Sequence, residues 1–279
     1  MTLARRLCFV LLAASGCAVE TSDPSELEGQ QAELELRERL PWQPSQLTPF
    51  AFESETTSSD VEQGDVRLDA VTFDGRSWSR HLLAPVVQAN IVKDDGVDVE
   101  RGGNNFASGQ GIASADDTLT REGPATITPT GRDLAASLGN YNLTSIVVTR
   151  ENEGTASLEV TFAWPVNTLL FWERGNASSP TTANSDLLVE TLDWLGRVTA
   201  SHKLLRSEYA PTGIEITTWN GSFSSPSQPG GAPPELGAVG LKLDGVTQRL
   251  RLTSVQGPEG GLRDDGPDYK VLGALIPGR

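Results

Sequence analysis

The sequence predicts an all-β protein, a β-sandwich of jelly-roll-like design with one short helix. Three observations carry this. Beyond about residue 50, apolar and polar residues alternate with a period of two, the mark of strands with one face on a core and one in water. Asp-Gly and Gly-Gly pairs punctuate these runs. The composition holds Gly 28 and Pro 17 in 279 residues, a turn-rich balance rather than a helical one.

In chain order, the first element is an export signal over residues 1–16. Arg5 and Arg6 form a basic start, Leu7 to Ala14 an apolar run, and Ala14, Ser15 and Gly16 a small-residue approach to Cys17. As a helix the run is roughly 15 Å long, about half of a bilayer core, so it cannot span a membrane. The Ala14-Ser15-Gly16-Cys17 stretch resembles a bacterial lipobox, in which the Cys thiol is acylated and becomes the first mature residue. Ala14 stands where that motif usually has Leu. Lipid at Cys17 would anchor the chain without a transmembrane helix. Ala18, where retained lipoproteins often carry Asp, points to the outer membrane or cell surface.

Residues 17–46 read as a lipidated acidic tether. Glu20, Asp23, Glu26, Glu28, Glu33, Glu35 and Glu38 outnumber Arg37 and Arg39, and Pro41, Pro44 and Pro49 stop any short helix there. The sandwich domain is then residues 47–279. Its strands show in Val66, Leu68 and Ala70, in Leu158 to Trp164, in Ile214 and Ile216, in Val239, Leu241 and Leu243, and in Leu250 and Leu252. Ser145–Thr149 and Val271–Ile276 are more continuously apolar and predict central strands. Asp74-Gly75, Asp95-Gly96, Gly230-Gly231 and Asp244-Gly245 predict turns. The helix is predicted after Thr130, with Asp133 completing a capping box, Leu134 and Leu138 on one face and Gly139 at its end.

Composition excludes several functions. Net charge is −15, and −17 once Arg5 and Arg6 leave with the signal, which repels nucleic acid and anionic membrane surfaces. Only Cys8 and Cys17 are cysteines, so the mature chain has no internal disulfide. With His81 and His202 the only histidines, and no HExxH, GxSxG or phosphate loop, a transition-metal enzyme or a Ser-His-Asp hydrolase is not expected.

Two features invite a site. Asp94-Asp95-Gly96-Val97-Asp98 and Asp264-Asp265-Gly266-Pro267-Asp268 share one acidic-turn pattern. Asp94, Asp95, Asp98, Asp264, Asp265 and Asp268 are candidate Ca²⁺ ligands, since Ca²⁺ takes about 6–8 oxygens. Asp and Gly also suit tight turns for backbone reasons alone. The second feature is Phe171–Asn176 followed by Asn184–Val189. A hairpin there would bring Glu173, Arg174 and Asp186 together beside Trp172, as an ion pair ending a buried strand or as a binding rim with a stacking platform.

The same runs, Phe171–Gly175 and Asn184–Glu190, with the later Gly266–Gly273, resemble a family of exosortase-dependent (PEP-CTERM-type) bacterial surface proteins. The likeness spans roughly the C-terminal two thirds of the chain. It implies an exported envelope or matrix protein and brings no catalytic residues with it. Here Asn176–Ala183 is longer than that family's short turn. The chain also ends at Ile276-Pro277-Gly278-Arg279, without a sorting motif, so lipid at Cys17 would supply the anchor instead.

We therefore read the chain as a lipid-anchored protein of the outer membrane or cell surface, with a binding or structural role. One alternative is a Ca²⁺-assisted module binding glycan or matrix components, served by six Trp and the acidic loops. The other is a carbohydrate-active enzyme using Glu173 and Asp186, which would need the two carboxyl groups about 5–5.5 or 6.5–9.5 Å apart. The anchor is directly testable. Mass spectrometry of the native N-terminus should show a chain beginning at acylated Cys17, and Cys17→Ala should leave the protein unprocessed or soluble. A lipid-free N-terminus cut elsewhere would remove the anchor.

Overall fold

The computed structural model describes residues 45–60, 65–93, 96–102, 124–149, 155–174, 186–216, 218–219, 235–255 and 267–276. The signal, Cys17, the tether up to residue 44, Asp94, Asp95, Asp264, Asp265, Asn176–Ala183 and Gly230-Gly231 lie outside the described residues. The strands in chain order are β1 (Ser45–Gln46), β2 (Thr48–Phe50), β3 (Glu53–Asp60), β4 (Asp65–Phe73), β5 (Arg76–Ser79), β6 (Leu83–Ala84), β7 (Val86–Lys93), β8 (Val97–Gly102), β9 (Ile146–Thr149), β10 (Ser157–Arg174), β11 (Asp186–Leu192), β12 (Val198–Leu204), β13 (Ala210–Glu215), β14 (Thr218–Trp219), β15 (Glu235–Val255) and β16 (Asp268–Ala274). Among the described residues, the one α-helix is α1 (Gly131–Leu138).

This is an all-β sandwich. The main sheet follows the order β1-β12-β11-β15-β10-β16-β9-β8-β14, with β2, β6, β7 and β13 attached beside it, and β3-β4-β5 form a separate small sheet. Strands β10 and β15 are long because each serves two neighbourhoods. The first part of β10 pairs with β7 (Val160 opposite Ala89), and the second with β16 (Phe171 opposite Val271). The late part of β15 pairs with β11, and its early part with β2 and β13.

Between these parts the β10–β15 register shifts, around Val166 and Thr247. Pro165 sits at this break, where a missing N–H costs no ladder bond. The shift changes which residues face inward. Leu158, Val160 and Phe162 reach the main core before it, and Leu169 and Phe171 after it; on β15, Leu250 and Leu252 do so on one side, and Val239 and Leu241 on the other. Side chains mend the interrupted ladder. The Thr247 hydroxyl donates to Leu192 O at 3.0 Å, and Gln248 Nε2 to Phe162 O at 2.9 Å. Asp244-Gly245, a predicted turn, thus bends a continuous strand rather than ending one.

A second core lies on the other face of the later half of β10. Leu170, Trp172, Leu236, Ala238 and Leu272 meet Phe52, Val66, Leu68 and Val71 of the small-sheet side. Covered on both faces, β10 from Thr168 to Arg174 is buried at every residue. The predicted central strands hold their places: β9 lies between β8 and β16, and β16 between β9 and β10.

Helix α1 has the predicted capping box, with Asp133 N donating to Thr130 Oγ1 at 3.3 Å and Thr130 N donating to Asp133 Oδ2 at 2.8 Å. The Thr130 hydroxyl, donating to the same Oδ2 at 2.7 Å, and then its N–H hold the Asp133 carboxyl below its ordinary range. Its other end is closed in a way the sequence does not announce. Lys270, with no exposed surface, donates from Nζ to Ser137 O (2.7 Å), Asn140 Oδ1 (2.8 Å) and Ser145 O (3.0 Å). The ammonium thereby meets the negative end of the helix and the Ser145 carbonyl. None of these partners is a carboxylate, and burial holds the Lys270 pKa well below the ordinary lysine value. Among the described residues, no helix is long and apolar enough to cross a membrane.

Lys270→Met should be destabilising, by about 1–3 kcal/mol for each buried acceptor left unmet. A depressed folded pKa means that the unfolded chain holds the extra proton as pH climbs towards the ordinary lysine value, so wild-type stability rises through that window. The deficit of Lys270→Met should therefore grow with pH in urea titrations. A deficit that shrank with pH would contradict the placement of this ammonium.

Candidate functional site

Trp172, Glu173, Arg174 and Asp186 do not form a rim. Strand β15 lies between β10 and β11, so the expected hairpin between these strands does not exist. All four side chains are buried, and each has partners of its own. Trp172 packs edge-on to Phe52 at 5.2 Å, and its indole N–H donates to Ser54 Oγ at 2.7 Å. Asp186 pairs with Lys203 Nζ at 2.6 Å. Glu173 is 2% exposed and, after burial itself, is the main influence holding the Tyr209 hydroxyl well above the ordinary tyrosine range.

Arg174 is a buried guanidinium held by two carboxylates. The β10–β16 ladder, which pairs Glu173 with Tyr269, sets Arg174 opposite Asp268, and the guanidinium donates to Asp268 Oδ2 from Nε (3.0 Å) and Nη2 (2.5 Å). It also bonds Glu100 and Thr218, and Thr218 in turn donates to Glu100. Asp268 and Glu100 raise the Arg174 pKa against the opposing effect of burial, so the cation is permanent.

Of the acidic loops, only Asp98 and Asp268 fall among the described residues. Both register opposite Val148, on either side of β9, so the two motifs enter the sheet at one end. Asp268 is engaged by Arg174, and Asp98 is buried. Among the described residues, no group of three or more His, Cys, Asp and Glu is placed to hold a metal ion.

The described surface offers a different site. The β4–β5 hairpin turns at Asp74-Gly75, both with positive φ (51° and 68°), the geometry that a two-residue Asp-Gly turn supplies. Its register sets Phe73 opposite Arg76 and Val71 opposite Trp78, so Phe73 and Trp78 are diagonal neighbours. Their rings stack at 5.9 Å with a 10° tilt, and Phe50 meets Phe73 at 5.2 Å. Phe50 lies flat over β15 because its cross-strand partner is Gly240, where a Cβ would collide with the ring. Lys242 follows two residues on, in register with Thr48 and Thr168. Asn167 closes the floor by exchanging two hydrogen bonds with the Ile276 backbone, at 2.6 and 2.8 Å.

The result is an open cleft of about 620 Å³, within the range of small-ligand sites. Half-buried Phe50, Phe73 and Trp78 give it an aromatic wall, and Asp74, Arg76 and Lys242 give it charge. The Trp78 indole N–H is buried with no acceptor among the described residues, a polar group left at a cost. The sequence marked Asp74-Gly75 as a turn but none of the cleft's residues as a site. The available signal was Phe73-Asp74-Gly75-Arg76, a hairpin turn that forces an aromatic and a cation across from one another. Comparison with protein-family models, curated proteins and solved structures finds no match to this chain.

The Arg174 network is structural, and its removal should show as lost stability. Arg174→Ala should cost about 3–5 kcal/mol in urea denaturation, because Glu100 and Asp268 would be left as buried charges without their cation. A variant that melted with the wild type would mean that the guanidinium is wet and free for a ligand.

Proposed function

We propose that this is a lipid-anchored protein of the outer membrane or cell surface that binds carbohydrate in the cleft between the β4–β5 hairpin and β15. The carrying observation is the half-buried cluster of Phe50, Phe73 and Trp78 beside charged groups in one cleft. Sugar rings present C–H faces that pack on aromatic rings and hydroxyls that need polar partners, and a site of this mixture suits both. The export signal and Cys17 motif agree with an extracellular glycan as the ligand. An enzyme using Glu173 and Asp186 is less well supported, because both carboxylates are buried and Asp186 is ion-paired. Of the candidate Ca²⁺ ligands among the described residues, Asp98 and Asp268 do not line the cleft, whose described carboxylate is Asp74.

A glycan array probed with the exported domain, with and without Ca²⁺, tests the reading. Binding should occur without added Ca²⁺, and Trp78→Ala should weaken it by about tenfold or more, as truncation of a central aromatic contact does. Thermal melting of the variant checks that it is folded. Binding that ignored Trp78→Ala would move the site elsewhere, and binding that required Ca²⁺ would move it to the acidic loops.

A further inference from the structure

The described lining of the cleft carries two cations, Arg76 and Lys242, against one carboxylate, Asp74, a positive balance on an acidic chain. The chain has 37 acidic against 22 basic residues, and several cations on it are taken up by a carboxylate. Arg249 and Arg251 share Glu159, Lys203 holds Asp186, Arg197 holds Asp193, and Arg67 holds Asp69. Arg76 and Lys242 are exposed, line the same cleft, and have no ion-pair partner among the described residues. They come from different sheets: Arg76 from the edge strand β5 of the small sheet, Lys242 from β15 of the main sheet. Only the folded molecule sets them on one cavity, beside Phe73 and Trp78.

We infer that the cleft selects an acidic saccharide, a short chain whose sugar rings carry carboxylates. The inference rests on the carbohydrate reading of the cleft and adds its substrate class. The aromatic wall takes the ring faces, and Arg76 and Lys242 take the carboxylate oxygens. Arg76 can do so with a two-pronged guanidinium and Lys242 as a point charge. The excess of negative charge elsewhere limits the ligand. A short acidic chain keeps its charge within reach of the two cations, whereas the net charge of −15 on the whole chain disfavours a long polyanion. Such screening acts over about 10 Å at ordinary ionic strength, comparable to the cleft itself.

Titration calorimetry with the full chain decides this, using three ligands: trigalacturonic acid, its fully methyl-esterified form, and the neutral maltotriose. The acid should bind about tenfold more tightly than its ester at low salt, the scale of two exposed ion pairs. The preference should fall as NaCl is raised, because exposed pairs are screened. The double variant Arg76→Gln with Lys242→Gln, both on exposed side chains, should bind acid and ester equally, with thermal melting showing that it is folded. Trp78→Ala should weaken acid and ester alike. If the ester binds as tightly as the acid, or the double variant keeps the preference, the acidic-ligand inference is overturned while the carbohydrate site stands. If none of the three binds and the array shows no saccharide sensitive to Trp78, the carbohydrate reading fails and the inference falls with it.

Discussion

Strands β10 and β15 run side by side through the whole sandwich, and the shift in their pairing near Val166 and Thr247 sets everything around them. Backbone ladders on either side of the shift point different alternate residues inward. One continuous strand can therefore line the main core in both halves of the sheet. The later half of β10 then has an outer face to spare, and Leu170 and Trp172 use it to hold the small sheet. The cleft depends on this second layer, because one of its sides is the small sheet's hairpin.

The polar groups inside the molecule are tied to the same frame. Arg174 ends β10 and Lys270 lies early in β16, on adjacent strands. Arg174 is matched by carboxylates and a hydroxyl, Lys270 by two carbonyls and an amide oxygen. Burying either cation is unfavourable until its donors are met, so each demands one arrangement of its surroundings. Arg174 ties β10 to β16, β8 and β14. Lys270 ties β16 to the helix and to the turn that follows it. Both contacts order the sheet end where the two acidic motifs enter.

The cleft follows a different logic. Its aromatic rings are only half-buried, and among the described residues its cations have no ion-pair partner and one indole N–H has no acceptor. Folding alone would favour matching such groups, as it does for Arg249, Arg251 and Lys203 elsewhere on the sheet. Half-buried rings and exposed cations within one concave place are ready for a ligand, which makes this cleft, and not the buried hairpin residues, the centre of the functional reading.

Local pattern alone determined much of the architecture. The period of two marked Val66 to Ala70, Leu158 to Phe162 and Val239 to Leu243 as strands, since alternation is a property of each strand by itself. Thr130, Asp133, Leu134, Leu138 and Gly139 marked the helix, because a capping box spans only a few residues. The buried state of Arg174 was also legible in part, from the apolar run that leads into it. Its partners were not: Glu100 and Thr218 lie 74 and 44 residues away, and only strand order brings them in. The same holds for Lys270, which reads as a surface lysine until the helix end is placed over it. It holds most of all for the cleft, where Phe50, Trp78 and Lys242 meet because β2, β5 and β15 belong to two sheets that pack together. Sequence records which residues alternate. Which strands lie side by side is decided by long-range pairing and layer packing, and that choice places charges and rings from distant segments in one site.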